Sequence, residues 1–546
     1  MKLKQDPKTF YGQKRLILNL LTLVFVTMLM GLELNLGYAK ATDCVFSIGK
    51  SSTRCKHRPV SRFAIKGIRL EVPALLTQSV WTASAIDLGE SVYTDQQPGR
   101  LSYEPRNAFN AQARLGLNID TLDKFSALVR FSLHYEQDFI SGFFRGGESN
   151  VDALALPMSQ NPEYNAIRKA YARLMLSPFF IVSAGRMTSH WGLGLLANDG
   201  AHGWTPKSAY FGDPRGGDRV NRVMLSSMIS SRSRTMLSVA FDQVDSDDIL
   251  QNDDEAQQVV LAAIYGYGKA RSLGAYMVLR DQDSPQMIDG EKRNKKTQVK
   301  VFDVYAKDRW KLTKGLKLHA ELEAVFIQGT TTLAPSPESP KSDVLQFALA
   351  SKIKLQGRHS GAILDFVYAT GDQNFDDGSQ NAFKADPNYE LGLLMFRHVI
   401  ASHTGRGPVT ASDPNLVGKP NEDLDRFPTR GSVSNTIAVF PKAWYRLYSG
   451  LEVYGGPLMA WGEVPLADPR NTRFNGGYPV NLLGGQGGRY LGTEFDLGLR
   501  FLVNLSKVTQ LTLGFEGAYF VPGNAFDSDQ NMDNVYGGRF IAQARF

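Results

Sequence analysis

The sequence predicts an all-β chain: a transmembrane antiparallel β-barrel of about 18 strands with short periplasmic turns and long external loops. Three observations carry that reading. Segments of about ten residues that alternate apolar and polar side chains recur almost from end to end. The connections between them alternate between very short polar turns and long polar loops. Beyond residue 33 no stretch approaches the roughly 20 apolar residues of a membrane helix, so a bilayer would be crossed by strands.

The alternation is plain in "FNAQARLGLNI", where Phe109, Ala111, Ala113, Leu115 and Leu117 share one face and Asn110, Gln112, Arg114 and Asn118 the other. It repeats in "FSALVRFSLHYEQ", "LKLHAELEAVF", "VLQFALASKIKL", "RYLGTEFDLGLRFLV" and "QLTLGFEGAYF". Short turns fall at Asp120 to Lys124, Ser231 to Arg234, Gln356 to His359 and similar places, with long loops between. A soluble sandwich has no reason to segregate its connections in this way, whereas a barrel with a periplasmic and an external rim requires it. The first strand is assigned to "QSVWTASAIDLG", and 371–435 to one long external or lumen-folded loop. The count is then 18, even as single-chain bacterial barrels demand. "YELGLLMF" is left out because adding it alone breaks that parity.

At the N-terminus Lys2, Lys4, Lys8, Lys14 and Arg15 precede an apolar run from Leu16 to Leu32, followed by Ala39 and Ala41. This predicts a signal peptide over 1–41, a periplasmic N-terminal segment over 42–77 and the barrel over 78–546. The length of the run leaves an uncleaved anchor as the alternative. Cys44 and Cys55, the only two cysteines, are a disulfide candidate fitting an oxidising compartment, and no Cys/His cluster completes a zinc site. The net charge is +7 and the pI about 9.1, but the charge is interspersed, without the basic blocks of a nucleic-acid module.

The tail "DNVYGGRFIAQARF" places Tyr536, Phe540, Ala542, Ala544 and Phe546 on one face and Arg539, Gln543 and Arg545 on the other. An aromatic last residue on an alternating strand resembles the assembly signal of bacterial outer-membrane barrels, carried here by Tyr536, Phe540 and Phe546. "GRMTSHWGLGLLANDG", "YATGDQNFDDG" with "NYELGLLMF", and "YLGTEFDLGL" with "FVPGNAFD" resemble large outer-membrane barrels of the alginate-export family. The likeness is closer to uncharacterised barrels of delta-type proteobacteria. The resemblance implies an 18-stranded channel in the bacterial outer membrane. In the family's studied branch the lumen is rich in arginine and conducts an anionic polysaccharide. It also implies lipopolysaccharide and the barrel-assembly machinery as partners.

The alternation assigns basic residues to the lumen: Arg114, Arg130, Lys169, Arg173, Arg186, Arg222, Arg280, Lys307, Arg309, Lys352, Lys354, Arg446, Arg500, Arg539 and Arg545. Glu136, Asp242, Asp303, Glu321, Glu323, Asp365, Glu452, Glu494, Asp496 and Glu516 face them. The basic excess predicts a wet lumen preferring anions, small or polymeric. Cross-strand ion pairs that merely stiffen the wall are the competing reading. Asp372 in "GDQNFDDGS" has the start of a calcium-loop spacing, but its glycine falls one place late, so a solvated external loop is expected. His190, Trp191, Asp199 and His202 suggest a metal site or a catalytic dyad. The aromatic belt is the preferred place for Trp191, and no third group orients His190 for catalysis. The expectation is therefore a non-enzymatic porin or exporter for polar, anionic or polysaccharide cargo, without metal or cofactor. Loops 187–217, 371–435 and 462–488 are its constrictions. The runner-up is a plugged, non-conducting barrel with a structural, adhesive or assembly role.

Overall fold

The computed structural model describes residues 61–65, 68–84, 86–90, 100–103, 106–122, 128–141, 163–177, 179–247, 250, 254–288, 291–333, 341–375, 377–404, 429, 431–448, 450–468, 471–472, 475–482, 484–506, 508–527 and 532–546. The predicted signal peptide, Cys44 and Cys55 lie outside them.

Eighteen antiparallel wall strands close on themselves. In chain order they are β1 Ala74–Ala83, β2 Arg106–Leu122, β3 Leu128–Ser141, β4 Glu163–Ser177, β5 Phe180–Thr188 and β6 Arg219–Ser230. Next come β7 Thr235–Ser246, β8 Glu255–Tyr265, β9 Ser272–Ile288, β10 Glu291–Lys311, β11 Lys317–Thr331 and β12 Ser342–Gln356. The last six are β13 Ser360–Ala369, β14 Thr436–Arg446, β15 Leu451–Trp461, β16 Tyr490–Asn504, β17 Gln510–Pro522 and β18 Val535–Arg545. Each pairs with its neighbours in sequence, and β18 seals against β1, with Arg539 opposite Trp81 and Phe540 opposite Val80. Closure leaves no strand edge in the wall, so no row of backbone N–H and C=O groups meets hydrocarbon unpaired.

The first wall strand begins earlier than the sequence suggested. Pro73 interrupts a longer strand, whose lower part, Ile68–Val72, pairs with residues 118–121 of β2 and forms a small hairpin with Ser61–Ile65. Proline lacks the N–H that the ladder needs, so the break falls there.

Period-two patterning sorts the side chains as expected. Val223, Leu225, Leu237, Val239, Phe241, Leu261, Leu497 and Phe515 point outward and exposed, while Ala240, Asp242, Ser226 and Glu516 point inward and are buried. Phe515 and Phe540 meet on the outer face near the seal, their ring centroids 4.8 Å apart and their planes tilted by 48°. The pattern slips once within β4. A bulge opposite His134 and Tyr135 brings Arg168 into the lumen beside Lys169, with Ile167 and Ala170 left on the outer face.

"YELGLLMF" is not a strand. It leads into a short helical segment, a wide turn at Met395–Ile400 running into Ala401–Thr404, whose side chains are almost all buried. Four apolar side chains in a row, Leu393 to Phe396, cannot alternate between lipid and water, and here all four are buried inside the barrel wall.

The outer face makes a direct prediction. Val239→Arg, between Leu225 and Leu261 across the ladder, should destabilise the barrel by about 2–4 kcal/mol in a urea titration of folding into lipid vesicles. An unchanged titration would mean that this face does not meet hydrocarbon.

Candidate functional site

The lumen is filled from within. The wall is lowest at β5, only 9 residues long, and there the chain turns inward as the loop 189–218. The loop closes on a neck: the Ser189 amide donates to Asp218 O at 3.1 Å, and the Asp218 amide to Asn198 O at 2.9 Å. Its tip travels far. The Lys207 amide reaches Glu452 at 2.6 Å, and its ammonium reaches the carbonyl of Arg358 in a short turn at the opposite rim, at 3.1 Å.

Wall carboxylates hold the loop by its backbone. Glu323 accepts from the amides of Leu193 and Leu195, the latter at 3.2 Å, and Asp303 accepts from the Trp191 indole at 3.1 Å. Gly192 (φ +57°) makes the approach possible, because a Cβ there would lie 2.4 Å from Glu323 Oε2. Trp191 is therefore not part of an aromatic belt. It lies buried in the lumen, stacked on Tyr276 at 5.0 Å.

Two guanidinium nodes complete the grip. At the first, Glu136 receives Arg114 (2.9 and 3.0 Å), Arg168, Gln112 (3.1 Å) and the Gly216 amide (3.1 Å). Arg114 also donates to Gly200 O at 2.6 Å, and Arg168 to the carbonyls of Asp199 and Gly216. At the second, Glu516 binds Arg500, Arg539 and the Tyr454 hydroxyl. Arg539 donates to Phe211 O and lies 4.5 Å from the Trp81 ring; Arg500 stacks on Trp204 at 4.7 Å. Arg539 was expected to face water, yet it is buried, because the loop packs over it and its carbonyls replace the water.

The second long loop enters as well. Glu494 accepts the amides of Leu393 (2.6 Å), Leu394 (2.8 Å) and Met395 (2.6 Å), the donors left free where a helical segment begins. Glu390 pairs with Arg397 and also accepts the Asp213 amide, joining the two loops. Burial would raise the Asp213 carboxyl, but Arg215, Arg539 and Arg397 hold it well below the usual carboxylate range. Asp372 is not a solvated loop acid. It is buried and accepts the amides of Asn374 (3.1 Å) and Asn381 (2.9 Å), and burial pushes its carboxyl up to about 6.

The remaining basic residues predicted for the lumen divide into two kinds. Arg130 pairs with Asp120, Arg186 with Asp245, Arg222 with Asp242, Arg280 with Asp247 and Arg446 with Glu452. Buried guanidiniums require such partners, since stripping one of water costs several kcal/mol. These arginines are therefore braces rather than open anion sites. Arg173 donates to Ser183 at 3.1 Å, Arg545 approaches Trp204 O at 3.5 Å and Arg309 is exposed. Lys169, Lys307, Lys352 and Lys354 are partly buried and form no ion pair among the described residues.

Lys169 stands apart on β4, while the other three, with Lys442, gather across β10 to β14. One register row runs Lys307, Glu321, Lys352, Asp365, with Lys442 bonded to Asp365 at 2.6 Å; the next runs Arg309, His319, Lys354. Open space survives beside the loops. A cavity of about 210 Å³ is lined by Val220, Val244, Tyr276, Val278, Val301 and Ile327, with Gln258 and Arg280 among its polar groups. A smaller one of about 30 Å³ lies against Arg114, Arg500 and Arg545.

His190, Asp199 and His202, nine and three residues apart, are brought together at the loop neck. Sequence reasoning missed Arg168, hidden by the bulge, and Arg215, Tyr210 and Glu390, which no strand pattern marks. The glycine-rich stretches around 192–203 and 212–217 were the available signal, since such a chain can lie close against a wall.

No family model matches the chain, and no curated protein matches it. Among solved structures it is similar to Pseudomonas aeruginosa OpdQ (TM-score 0.46, 9% identity, 87% of this chain and 98% of that one). It is likewise similar to P. aeruginosa OpdK with vanillate (0.46, 10%, 87% and 98%) and to Acinetobacter baumannii OccAB1 (0.48, 9%, 87% and 96%). These neighbours are Occ and Opd proteins rather than the alginate-export barrels that the sequence motifs resemble. At such identities and TM-scores, this chain's reading rests on its own geometry.

Glu136→Ala removes the acceptor shared by Arg114 and Arg168 and leaves both charges inside. The expected cost is about 3–5 kcal/mol in the same urea titration, with the Glu136→Gln variant less affected. Equal behaviour of the two variants would show that the node does not depend on charge.

Proposed function

We propose that the protein is an outer-membrane channel for small polar solutes, with a preference for anions. The observation that carries this reading is the unneutralised basic wall across β10 to β14. In one row two cations, Lys307 and Lys352, alternate with two carboxylates, Glu321 and Asp365; the next holds three more cations, Arg309, Lys354 and Lys442, and no carboxylate, Lys442 reaching across to Asp365. Charged groups lining a pore bias which ions enter it. Most of the arginines that the sequence suggested for this task are committed elsewhere, so selectivity falls to the lysines and Arg309.

Cargo size follows from the loops. A cavity of about 210 Å³ lies beside them, a size that suits a small solute better than a polymer. The polysaccharide route implied by the family resemblance would require loop 189–218 to leave the lumen.

The second reading is a plugged, non-conducting barrel, favoured by the number of wall contacts that the loops make. Single-channel recording in a planar bilayer separates the two. Small, anion-selective conductance is expected, and Lys307→Gln/Lys352→Gln/Lys354→Gln should lower the anion preference while leaving the barrel folded. Silence in the bilayer would favour the plug, and cation selectivity would remove the lysines from the account.

A further inference from the structure

His190 leaves the top of β5, and the loop brings Asp199 and His202 back against it. The two imidazole rings stack with centroids 3.7 Å apart and planes 21° from parallel. Asp199 Oδ1 lies 3.1 Å from His202 Nδ1 and 3.9 Å from His190 Nδ1, and one donor atom from each of the three residues falls within 4.8 Å of the other two. The carboxylate is fixed from both sides, accepting the Ala201 amide at 3.0 Å and lying 3.4 Å from the Thr188 hydroxyl.

We propose that His190, Asp199 and His202 bind a divalent transition-metal ion of the zinc type at the neck of the inward loop.

Three features support the site. His190 Nδ1 is buried and finds no hydrogen-bond partner among the described residues, so a lone-pair donor points into the cluster unused. Gly194 leaves room for the ring, since a Cβ there would lie 3.1 Å from His190 Cε1. The His202 side chain is 59% exposed, which gives an ion its way in and leaves positions for water ligands. Arg168 donates to the Asp199 carbonyl and is balanced by Glu136.

Two imidazole nitrogens and one carboxylate oxygen select zinc, nickel or copper over calcium and magnesium, which want oxygen ligands. The ion would tie the end of a wall strand to the returning limb of the loop, closing the neck independently of Glu136. The proposal does not depend on the channel reading, because it concerns only how the neck is held.

The test uses the full chain, purified in detergent and stripped with chelator, then titrated by calorimetry with Zn²⁺ and separately with Mg²⁺ and Ca²⁺. One equivalent of Zn²⁺ is expected, with a raised thermal midpoint, and no response to Mg²⁺ or Ca²⁺. His190→Gln/His202→Gln should lose about tenfold or more in Zn²⁺ affinity, together with the thermal shift. Electron paramagnetic resonance of the wild-type protein with Cu²⁺ supplies a readout that needs no variant: nitrogen hyperfine structure from two imidazoles is expected. Absence of stoichiometric binding, undiminished binding by the folded double variant, or all-oxygen copper coordination would each overturn the proposal.

Discussion

The structure depends on wall carboxylates that accept hydrogen bonds from loop backbone. Glu323 takes the amides of Leu193 and Leu195, Glu494 those of Leu393 to Met395, Glu136 that of Gly216, and Glu390 on the second loop that of Asp213 on the first. A loop drawn into a barrel loses water from every peptide group, and an unsatisfied buried amide or carbonyl costs about 1–3 kcal/mol. Acceptors held beside a guanidinium make the stronger, charge-assisted kind of hydrogen bond and answer that cost. Arg114 and Arg168 supply that charge to Glu136, Arg397 to Glu390, and Arg500 and Arg539 to Glu516. Wall and loops thus solve one electrostatic problem jointly, and neither set of charges is satisfied alone.

This coupling explains which parts of the architecture were legible in the sequence. The wall was, because alternation between lipid and lumen is a local pattern and the short turns mark one rim. Eighteen strands, the sealing role of the tail and the exclusion of "YELGLLMF" all follow from that pattern and from parity. The bulge that turns Arg168 inward breaks the period by one residue and leaves no trace in composition. The loops' inward course was open for a different reason: a polar, glycine-rich segment is equally suited to water outside and to charged walls inside. Trp191 shows the difficulty, since a tryptophan near a strand end fits a membrane belt or a lumen anchor, and only its partner Asp303, more than a hundred residues away, decides.

Within the lumen, charge separates into two tasks. Guanidiniums, planar and able to donate to carboxylate and carbonyl oxygens together, brace the loops. Lys307, Lys352 and Lys354, each a single flexible charge, line β10 and β12 without forming braces, and Lys442 on β14 bonds Asp365. The family resemblance pointed to arginines as the conducting surface; the packing of loop 189–218 against Arg539, Arg500 and Arg114 takes them out of that role.

The central claim is that loop 189–218 is a folded part of the lumen, and amide hydrogen exchange on the protein in detergent micelles tests it most directly. The amides of Leu193, Leu195 and Gly216 should exchange as slowly as those of the adjoining strands, because each donates to a buried carboxylate. Exchange of these amides at the rate of an unstructured peptide, with the strands protected, would contradict the account.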